Sequence, residues 1–223
     1  MSQHKHIIIV AGGTGSRINN SVPKQFIEVN NKPIIIYTIE KFIAFDKNIH
    51  IYISVHADYI ELMKKMIANF FPGRPIHLTP GGATRFESVK NGLHLIKDAD
   101  GVVGVHDAAR PMVSIDTIKR CFDVAEVKGN ATPSIPVNDS LRKTNGDTNE
   151  SVNRNDYKVI QTPQCFQLDQ LQKAFQQDYN PTFTDDASVM EKAGHKINLV
   201  EGNVENIKIT YPIDLTLAQQ YLK

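Results

Sequence analysis

Short apolar runs alternate with segments of helical period over most of this 223-residue chain. Ile7–Val10 is apolar at every position, as in a strand buried on both faces of a parallel sheet. Lys32–Phe45 puts Ile35, Ile39, Phe42 and Ile43 on one helical face. Ile49–Val55 reads as a second strand. Asp58–Phe70 reads as a helix with Leu62, Met66 and Phe70 in register, stopped by Pro72-Gly73. The pattern continues as a helix over Arg85–Ile96, a strand over Val102–Val105, a helix over Ile115–Val127 ended by Gly129, and a strand over Ala131–Val137. This alternation predicts an α/β fold with a mainly parallel sheet between helical layers.

The rhythm breaks between Val137 and Tyr157, where the sequence is polar and has no helical period. Asn145-Gly146-Asp147 is a strong turn signal. Pro136–Leu141 and Ser151–Val159 are expected as the two legs of a projecting β-arm, at about 137–158, on a single domain spanning 1–223. An arm that cannot bury its own faces usually packs on a partner, so a homodimer is expected, the alternative being a surface loop. Beyond the arm come helices near Leu168–Gln177 and Asp185–Lys192, the second with Thr184 as N-cap. Ile197–Val200 and Ile207–Ile209 read as short strands, and Pro212–Leu222 as a closing helix with Pro near its start.

Composition narrows the function classes. A formal net charge of +1 gives no support for a nucleic-acid or membrane surface, so anion binding has to come from local charge. Cys121 and Cys165 are the only cysteines and form no Cys-x-x-Cys pair, which excludes a zinc or redox motif of that kind. No long apolar run precedes a cleavage-like site and no segment approaches a membrane span, so a cytoplasmic protein is expected.

The chemistry concentrates after the first strand. Gly12, Gly13 and Gly15 form a loop whose backbone can approach a ligand closely and offer successive N–H groups to an anion. Arg17 and Lys24 add two positive charges nearby in sequence. No Lys follows the last glycine, so the loop is not a Walker motif, and Ile18 stands where a dinucleotide fingerprint needs its third small residue. Gly81-Gly82-Ala83-Thr84-Arg85 repeats the theme before a helix that carries Ser88. His106-Asp107-Ala108-Ala109-Arg110-Pro111 follows a buried strand, at the end where open α/β sheets bind ligands. Asp107 there suits a ribose hydroxyl or a Mg²⁺ held through water. His106 could be a base, but no nucleophile motif accompanies it and a structural hydrogen-bonder is the commoner reading. The other histidines read as scattered. Asp185 and Asp186 complement a helix dipole. Lys208, on an inner strand, needs a counter-charge or a phosphate.

In this order, these motifs resemble those of the 2-C-methyl-D-erythritol 4-phosphate cytidylyltransferase family. The matching residues are Ala11–Arg17, Pro23–Phe26, Gly81–Arg85 with Ser88, His106–Pro111, Pro136–Asp139, Gln161–Gln164, Thr184–Ser188 and Asn206–Thr210. The resemblance implies a Rossmann-like nucleotidyltransferase fold, a homodimer built through the arm, and CTP and Mg²⁺ as ligands. By match to the family motifs, Ala11, Gly12, Gly13 and Gly15 would cradle the triphosphate. Gly82, Arg85 and Ser88 would recognise cytosine and ribose, with Asp107 and Ala108 on the nucleotide side. Arg17 and Lys24 would stabilise the transition state. Arg154 and Lys208 would position the polyol phosphate, helped by Arg110, Thr162 and Thr184.

Two departures bear on the acceptor. Asp139-Ser140 stands where the family commonly has Asp-Thr, and the Ser140 hydroxyl keeps the hydrogen bond available. Ala11-Gly12-Gly13 is also typical of ribitol-5-phosphate cytidylyltransferases, which leaves the acceptor polyol open at this point. Two other classes compete. A non-catalytic nucleotide-binding module is disfavoured by the intact Arg17, Lys24, Arg154 and Lys208. A nicotinamide oxidoreductase would need an acid near the end of the second strand, where Val55-His56-Ala57 stands.

Overall fold

In the computed structural model, which describes residues 4–13 and 22–222, the chain opens with strand β1 (Lys5–Ala11). A 3₁₀ turn at Lys24–Phe26 leads to a two-residue hairpin, β2 (Glu28–Val29) and β3 (Lys32–Pro33). Asn30 and Asn31 turn that hairpin in the left-handed region. Helix α1 (Ile34–Phe45), β4 (His50–Val55), α2 (Ile60–Phe70), β5 (Ile76–Pro80), α3 (Arg85–Leu95) and β6 (Val102–Asp107) follow. The second half holds α4 (Ile115–Lys128), β7 (Asn130–Pro136), the arm strands β8 (Leu141–Asn145) and β9 (Thr148–Val152), β10 (Lys158–Ile160) and β11 (Gln164–Gln167). Helices α5 (Leu168–Ala174) and α6 (Asp186–Lys192), strand β12 (Leu199–Glu201) and helix α7 (Pro212–Tyr221) complete the chain.

The main sheet has the order β10-β7-β11-β6-β1-β4-β5, with β12 beside β7. β1 pairs parallel with β4 and β6, and β4 parallel with β5. β11 runs antiparallel to β6 and β7. Period-two alternation sends Ile7 and Ile9 to one face of the sheet, where α1, α2 and α4 supply Phe42, Met63 and Phe122. Ile8 goes to the other face, under Val89 of α3, Leu171 of α5 and Met190 of α6. Both faces are therefore covered, which is why the central strands are apolar throughout. α7 packs on a smaller cluster with Val29, Tyr37 and Ile209.

This order positions the site. From β1 the chain winds to β4 and β5, then returns to the other side of β1 as β6. The crevice outside the carboxyl ends of β1 and β6 is thus a topological switch point, the usual ligand position in open α/β sheets. Val10 and Asp107 are register partners there.

Several expectations need correction. Ile207–Ile209 is not a strand; the segment is tied to the core by Ile209 N–H donating to the Ala109 carbonyl (2.9 Å), without a ladder. The arm pairs in a different register from the predicted legs. Its two-residue Gly146-Asp147 loop sets the pairing, so Asn145 meets Thr148 and Leu141 meets Val152. Pro136 and Lys158, predicted as arm residues, pair with each other in the main sheet and anchor the arm's base. β5 and β11 were not anticipated, because each is too short and mixed in polarity to give a period. The N-cap of α6 is Asp185, not Thr184; its carboxylate accepts from Ser188 N–H (2.9 Å). Three of the other histidines are not scattered, since His4, His6 and His50 have ring centroids 5.2–6.4 Å apart at the amino end of β1 and β4.

Candidate active site

The glycine loop leaves β1 at the switch point. Gln25 holds its shape: this buried amide donates to the carbonyls of Ala11 (2.7 Å) and Gly13 (3.1 Å). Opposite, Gly81-Gly82 leads into α3, whose first turn is closed by a capping box between Thr84 and Glu87. The two loops meet on the Ser88 hydroxyl, which accepts from Gly82 N–H (3.1 Å) and donates to the Thr84 carbonyl (2.9 Å). A Cβ on Gly12 would stand 3.1 Å from Ser88 Oγ, and one on Gly81 would stand 3.3 Å from the Gly12 Cα. Glycine at both positions thus lets the two loops approach closely, and a side chain there would press on the Ser88 hydroxyl or the facing backbone.

Between them lies a cavity of about 360 Å³. Ala11, Gly12, Gly13, Lys24, Gly82, Arg85, Ser88, Asp107, Ala108 and Lys208, all singled out in the sequence, line it together. Arg110 and Thr162 stand directly behind Asp107. Gly15 and Arg17 lie outside the described residues. Ser140 and Arg154 are exposed on or beside the arm, away from the cavity lining, and Arg154 donates to the Asn138 carbonyl. Thr184 is exposed just before α6.

Asp107 organises the cations. Its carboxylate lies 3.0 Å from Lys208 Nζ, 3.3 Å from Arg110 Nε and 3.5 Å from Arg85 Nε. Burial opposes its charge, but Arg85, Lys208 and Arg110 together outweigh burial and hold the carboxyl well below the ordinary range. The counter-charge that Lys208 was expected to need is therefore Asp107. Lys24 reaches the cavity from the 3₁₀ turn and donates to the Ile209 carbonyl (2.6 Å). Among the described residues four basic side chains, Lys24, Arg85, Arg110 and Lys208, share this region with three carboxylates, Asp107, Asp186 and the nearby Asp185. The formal balance favours binding of anions.

Sequence reasoning missed three contributors. Asp186 is buried and grips the Arg85 guanidinium through two hydrogen bonds (2.8 and 2.7 Å), so its work is more specific than dipole complementation. Burial works against the Arg85 charge, while Asp186 and Asp107 secure it and raise the guanidinium above its ordinary value. Asn206 is buried, donates to the Thr162 carbonyl (2.9 Å), and its own carbonyl accepts from Arg110 (2.8 Å). Gln25 is the third. Each sits inside a motif already noticed, but its partner is remote in sequence.

Among the described residues no helix is long and apolar enough to cross a membrane. The family model described as "IspD: 2-C-methyl-D-erythritol 4-phosphate cytidylyltransferase" matches residues 5–223. A relative from Phocaeicola vulgatus, named 2-C-methyl-D-erythritol 4-phosphate cytidylyltransferase, is 44% identical over 97% of this chain and 98% of its own length. The crystal structure of the cytidylyltransferase of that name from Francisella tularensis superposes with a TM-score of 0.81 at 31% identity, covering 98% of this chain and 100% of that one. A bifunctional IspDF chain from Campylobacter jejuni gives a TM-score of 0.81 at 31% identity over 96% of this chain, which spans 54% of that longer protein.

Proposed function

The chain belongs to the 2-C-methyl-D-erythritol 4-phosphate cytidylyltransferase family, and from that membership we propose how its residues divide the work. It is a CTP-dependent nucleotidyltransferase that transfers a cytidylyl group to 2-C-methyl-D-erythritol 4-phosphate in isoprenoid precursor biosynthesis. An oxygen of the acceptor phosphate attacks the α-phosphorus of CTP in line. A new P–O bond forms, the bond to the bridging oxygen breaks, and pyrophosphate leaves with the electron pair. No general base is needed, because the attacking phosphate is already ionised near neutral pH. The protein's task is to bring two anions together, orient them and stabilise charge on phosphorus.

The observation that carries the assignment of roles is the convergence of Lys24, Arg85 and Lys208 with two glycine loops at the switch point. In this reading Ala11, Gly12 and Gly13, continued by Gly15, cradle the triphosphate with backbone N–H groups. Gly82, Ser88 and Ala108 shape the nucleoside end. Arg85, fixed by Asp186, presents its remaining N–H groups there. Lys24, with Arg17, faces the charge that develops on phosphorus. Lys208 and Arg110 meet the acceptor phosphate, joined by Arg154 and Ser140 from an arm and by Thr184, while Thr162 serves from behind Asp107.

Mg²⁺ fits this donor set in one way. Asp107 is the single carboxylate that lines the cavity among the described residues, and its oxygens already face three cations. Direct ligation would displace Lys208, whereas a hydrated ion carried by the CTP phosphates can rest on Asp107 through water. When bound, the ion supplies charge neutralisation of the triphosphate. We also infer a cytoplasmic homodimer. The arm strands β8 and β9 are paired only with each other and leave their faces exposed, and Cys121 and Cys165 are buried free thiols suited to a reducing compartment.

Pyrophosphate release, measured with each nucleotide and each polyol phosphate, tests the reading. Release is expected with CTP and 2-C-methyl-D-erythritol 4-phosphate. Comparable kcat/KM with ribitol 5-phosphate would move the acceptor assignment, and no release with CTP would overturn it.

A further inference from the structure

His106 is fully buried at the end of β6, one residue before Asp107, and touches nothing in the cavity. Its two ring nitrogens are nevertheless both engaged. Nε2 lies 3.1 Å from the Arg110 carbonyl, and Nδ1 lies 3.0 Å from Thr162 Oγ1. A carbonyl can only accept, so Nε2 carries the proton and Nδ1 is bare. Nδ1 then accepts from the Thr162 hydroxyl. The Thr162 oxygen in turn accepts from the backbone N–H of Asp107 (3.1 Å). Donors and acceptors alternate from Asp107 N–H through Thr162 and His106 to the Arg110 carbonyl, and a neutral imidazole satisfies every link while also using the Thr162 hydroxyl proton. Burial keeps it neutral, lowering His106 to about 4 even with Asp107 beside it.

The relay has two further anchors. The His106 ring stands edge-on to Phe42, with centroids 5.0 Å apart and planes at 72°. The carbonyl of Thr162 accepts from Asn206, whose own carbonyl holds Arg110 (2.9 and 2.8 Å). Asn206 begins the segment that carries Lys208. The backbone of Asp107 and the chain segment bearing Lys208 are thus fixed to one point, Thr162, whose hydroxyl is oriented by His106. Asp107 Oδ2 faces Lys208 and Arg110 more closely than Oδ1 faces Arg85. Arg110 and the segment bearing Lys208 are also tied to Thr162 through Asn206, whereas Arg85 is held by Asp186, so loosening the relay acts on the acceptor-phosphate side of the site.

We propose that His106 is a positioning residue for the transfer reaction, acting through the Thr162 hydroxyl to set Asp107 against Lys208 and Arg110. This rests on the division of roles given above. A displacement of about 1 Å at such a constellation costs up to about a hundredfold in rate.

The test compares three variants of the full chain, each first shown to be folded by its melting transition. An Asn amide overlays the Nδ1 end of the ring and a Gln amide the Nε2 end. His106→Asn keeps an acceptor for Thr162, His106→Gln keeps only the donor to Arg110, and His106→Phe keeps neither while still packing on Phe42. The expected result is a loss of at least about tenfold in kcat/KM for the polyol phosphate in the Gln and Phe variants, with recovery to within about threefold in Asn. CTP binding, measured by calorimetry, should stay within about threefold in all three. Combining His106→Gln with Thr162→Val should be no worse than Thr162→Val alone, because both remove the same link. If kcat/KM per folded molecule is unchanged in His106→Phe, or if losses in Asn and Gln follow only their melting temperatures, His106 is a core residue and the proposal is wrong. Wild-type protein is assayed alongside. Failure of wild type to release pyrophosphate would overturn the functional reading instead.

Discussion

Arg85 and Asp186 are 101 residues apart in sequence, yet their guanidinium and carboxylate meet fork to fork at 2.8 and 2.7 Å. The contact joins the first turn of α3 to the first turn of α6. It fixes the wall of the cavity to the helical layer that covers the sheet. Arg85 could not serve a ligand in a defined place without it, because a free arginine explores many rotamers.

Removing one partner of this pair should be costly. In Asp186→Ala the Arg85 charge, partly shielded from water, keeps only the weaker contact to Asp107. Loss of a buried partner of this kind costs on the order of 3 kcal/mol. The chemical-denaturation midpoint of Asp186→Ala should fall accordingly, and Asp186→Glu should not restore it, since the longer side chain cannot keep the same fork. An unchanged midpoint would mean that solvent already screens the pair.

Lys24 is expected to act on the transition state. Its ammonium lines the cavity beside the glycine loop and is held at the Ile209 carbonyl. A preorganised charge of this kind is worth about 3 kcal/mol, so Lys24→Ala should lower kcat by about a hundredfold. Steady-state kinetics should show KM for the polyol phosphate changing far less. A loss confined to KM would mean that Lys24 only binds ground-state substrate.

Nucleotide choice should depend on the loop before α3. A Cβ on Gly82 would lie 2.2 Å from the Glu87 Cβ, so the loop has one tight path past the first turn of the helix. Gly82→Ala should displace it and reduce kcat/KM for CTP by at least about tenfold. In the unmodified protein CTP should be strongly preferred over ATP and GTP, with UTP the nearest competitor. Similar kcat/KM for ATP and CTP would remove this segment from base recognition.

Acid should destabilise the fold in a window set by histidines. Burial lowers both His6 and His106 to about 4. In the unfolded chain each titrates near about 6.5. Between those values the unfolded state binds protons that the folded state refuses, so stability is full above about pH 6.5 and is lost as pH falls toward 4. Each group contributes a slope approaching about 1.4 kcal/mol per pH unit inside the window. Denaturation midpoints from pH 7.5 to 5 should show it. His6 Nε2 lies 3.5 Å from Asp98 Oδ2 but neither buried nitrogen makes a hydrogen bond among the described residues, so His6→Leu should flatten the curve with little loss at neutral pH, where the imidazole is neutral. A curve that stays steep in His6→Leu would place the acid sensitivity elsewhere.

Much of this architecture was legible in the sequence, because the strands at the centre of the sheet are buried on both faces and read as plain apolar runs. Ile7–Val10 and the glycines after it mark a buried strand that ends in a ligand loop, although that this end is a switch point follows only from β6 returning to the far side of β1. The edges were harder. Ile76–Pro80 alternates imperfectly and Gln164–Gln167 is too short for a period, and each is a strand only because a neighbouring strand has an open edge beside it. The cavity lining was legible as well, since glycines, lysines and an aspartate at strand ends carry local signals. The residues that hold the lining in place were not. Gln25, Asp186 and Asn206 look like ordinary polar residues until the fold brings them to Gly13, Arg85 and Thr162. The arm shows the same limit: its turn was found, but its register follows from the two-residue loop and not from hydrophobic content.

If the chain forms the homodimer proposed above, its two subunits should share a site. Arg154 lies in the exposed segment after β9, and among the described residues its guanidinium reaches only the Asn138 carbonyl within its own arm. It is absent from the lining of its own cavity. A planar fork of five donors in that position suits a phosphate bound elsewhere, and the arm is the element free to carry it into a second copy. If Arg154 serves the partner's acceptor phosphate, Arg154→Ala and Lys24→Ala should each be nearly inactive alone and should partly complement when mixed. At equal mixing about half the dimers are mixed and each has one site with both residues intact, so activity should recover to about a quarter of wild type. Activity is read by pyrophosphate release after subunit exchange, with exchange followed independently by mass-tagged chains. Complete exchange with no recovery would mean that Arg154 and Lys24 work within one chain, and the arm would then have to fold back over its own cavity.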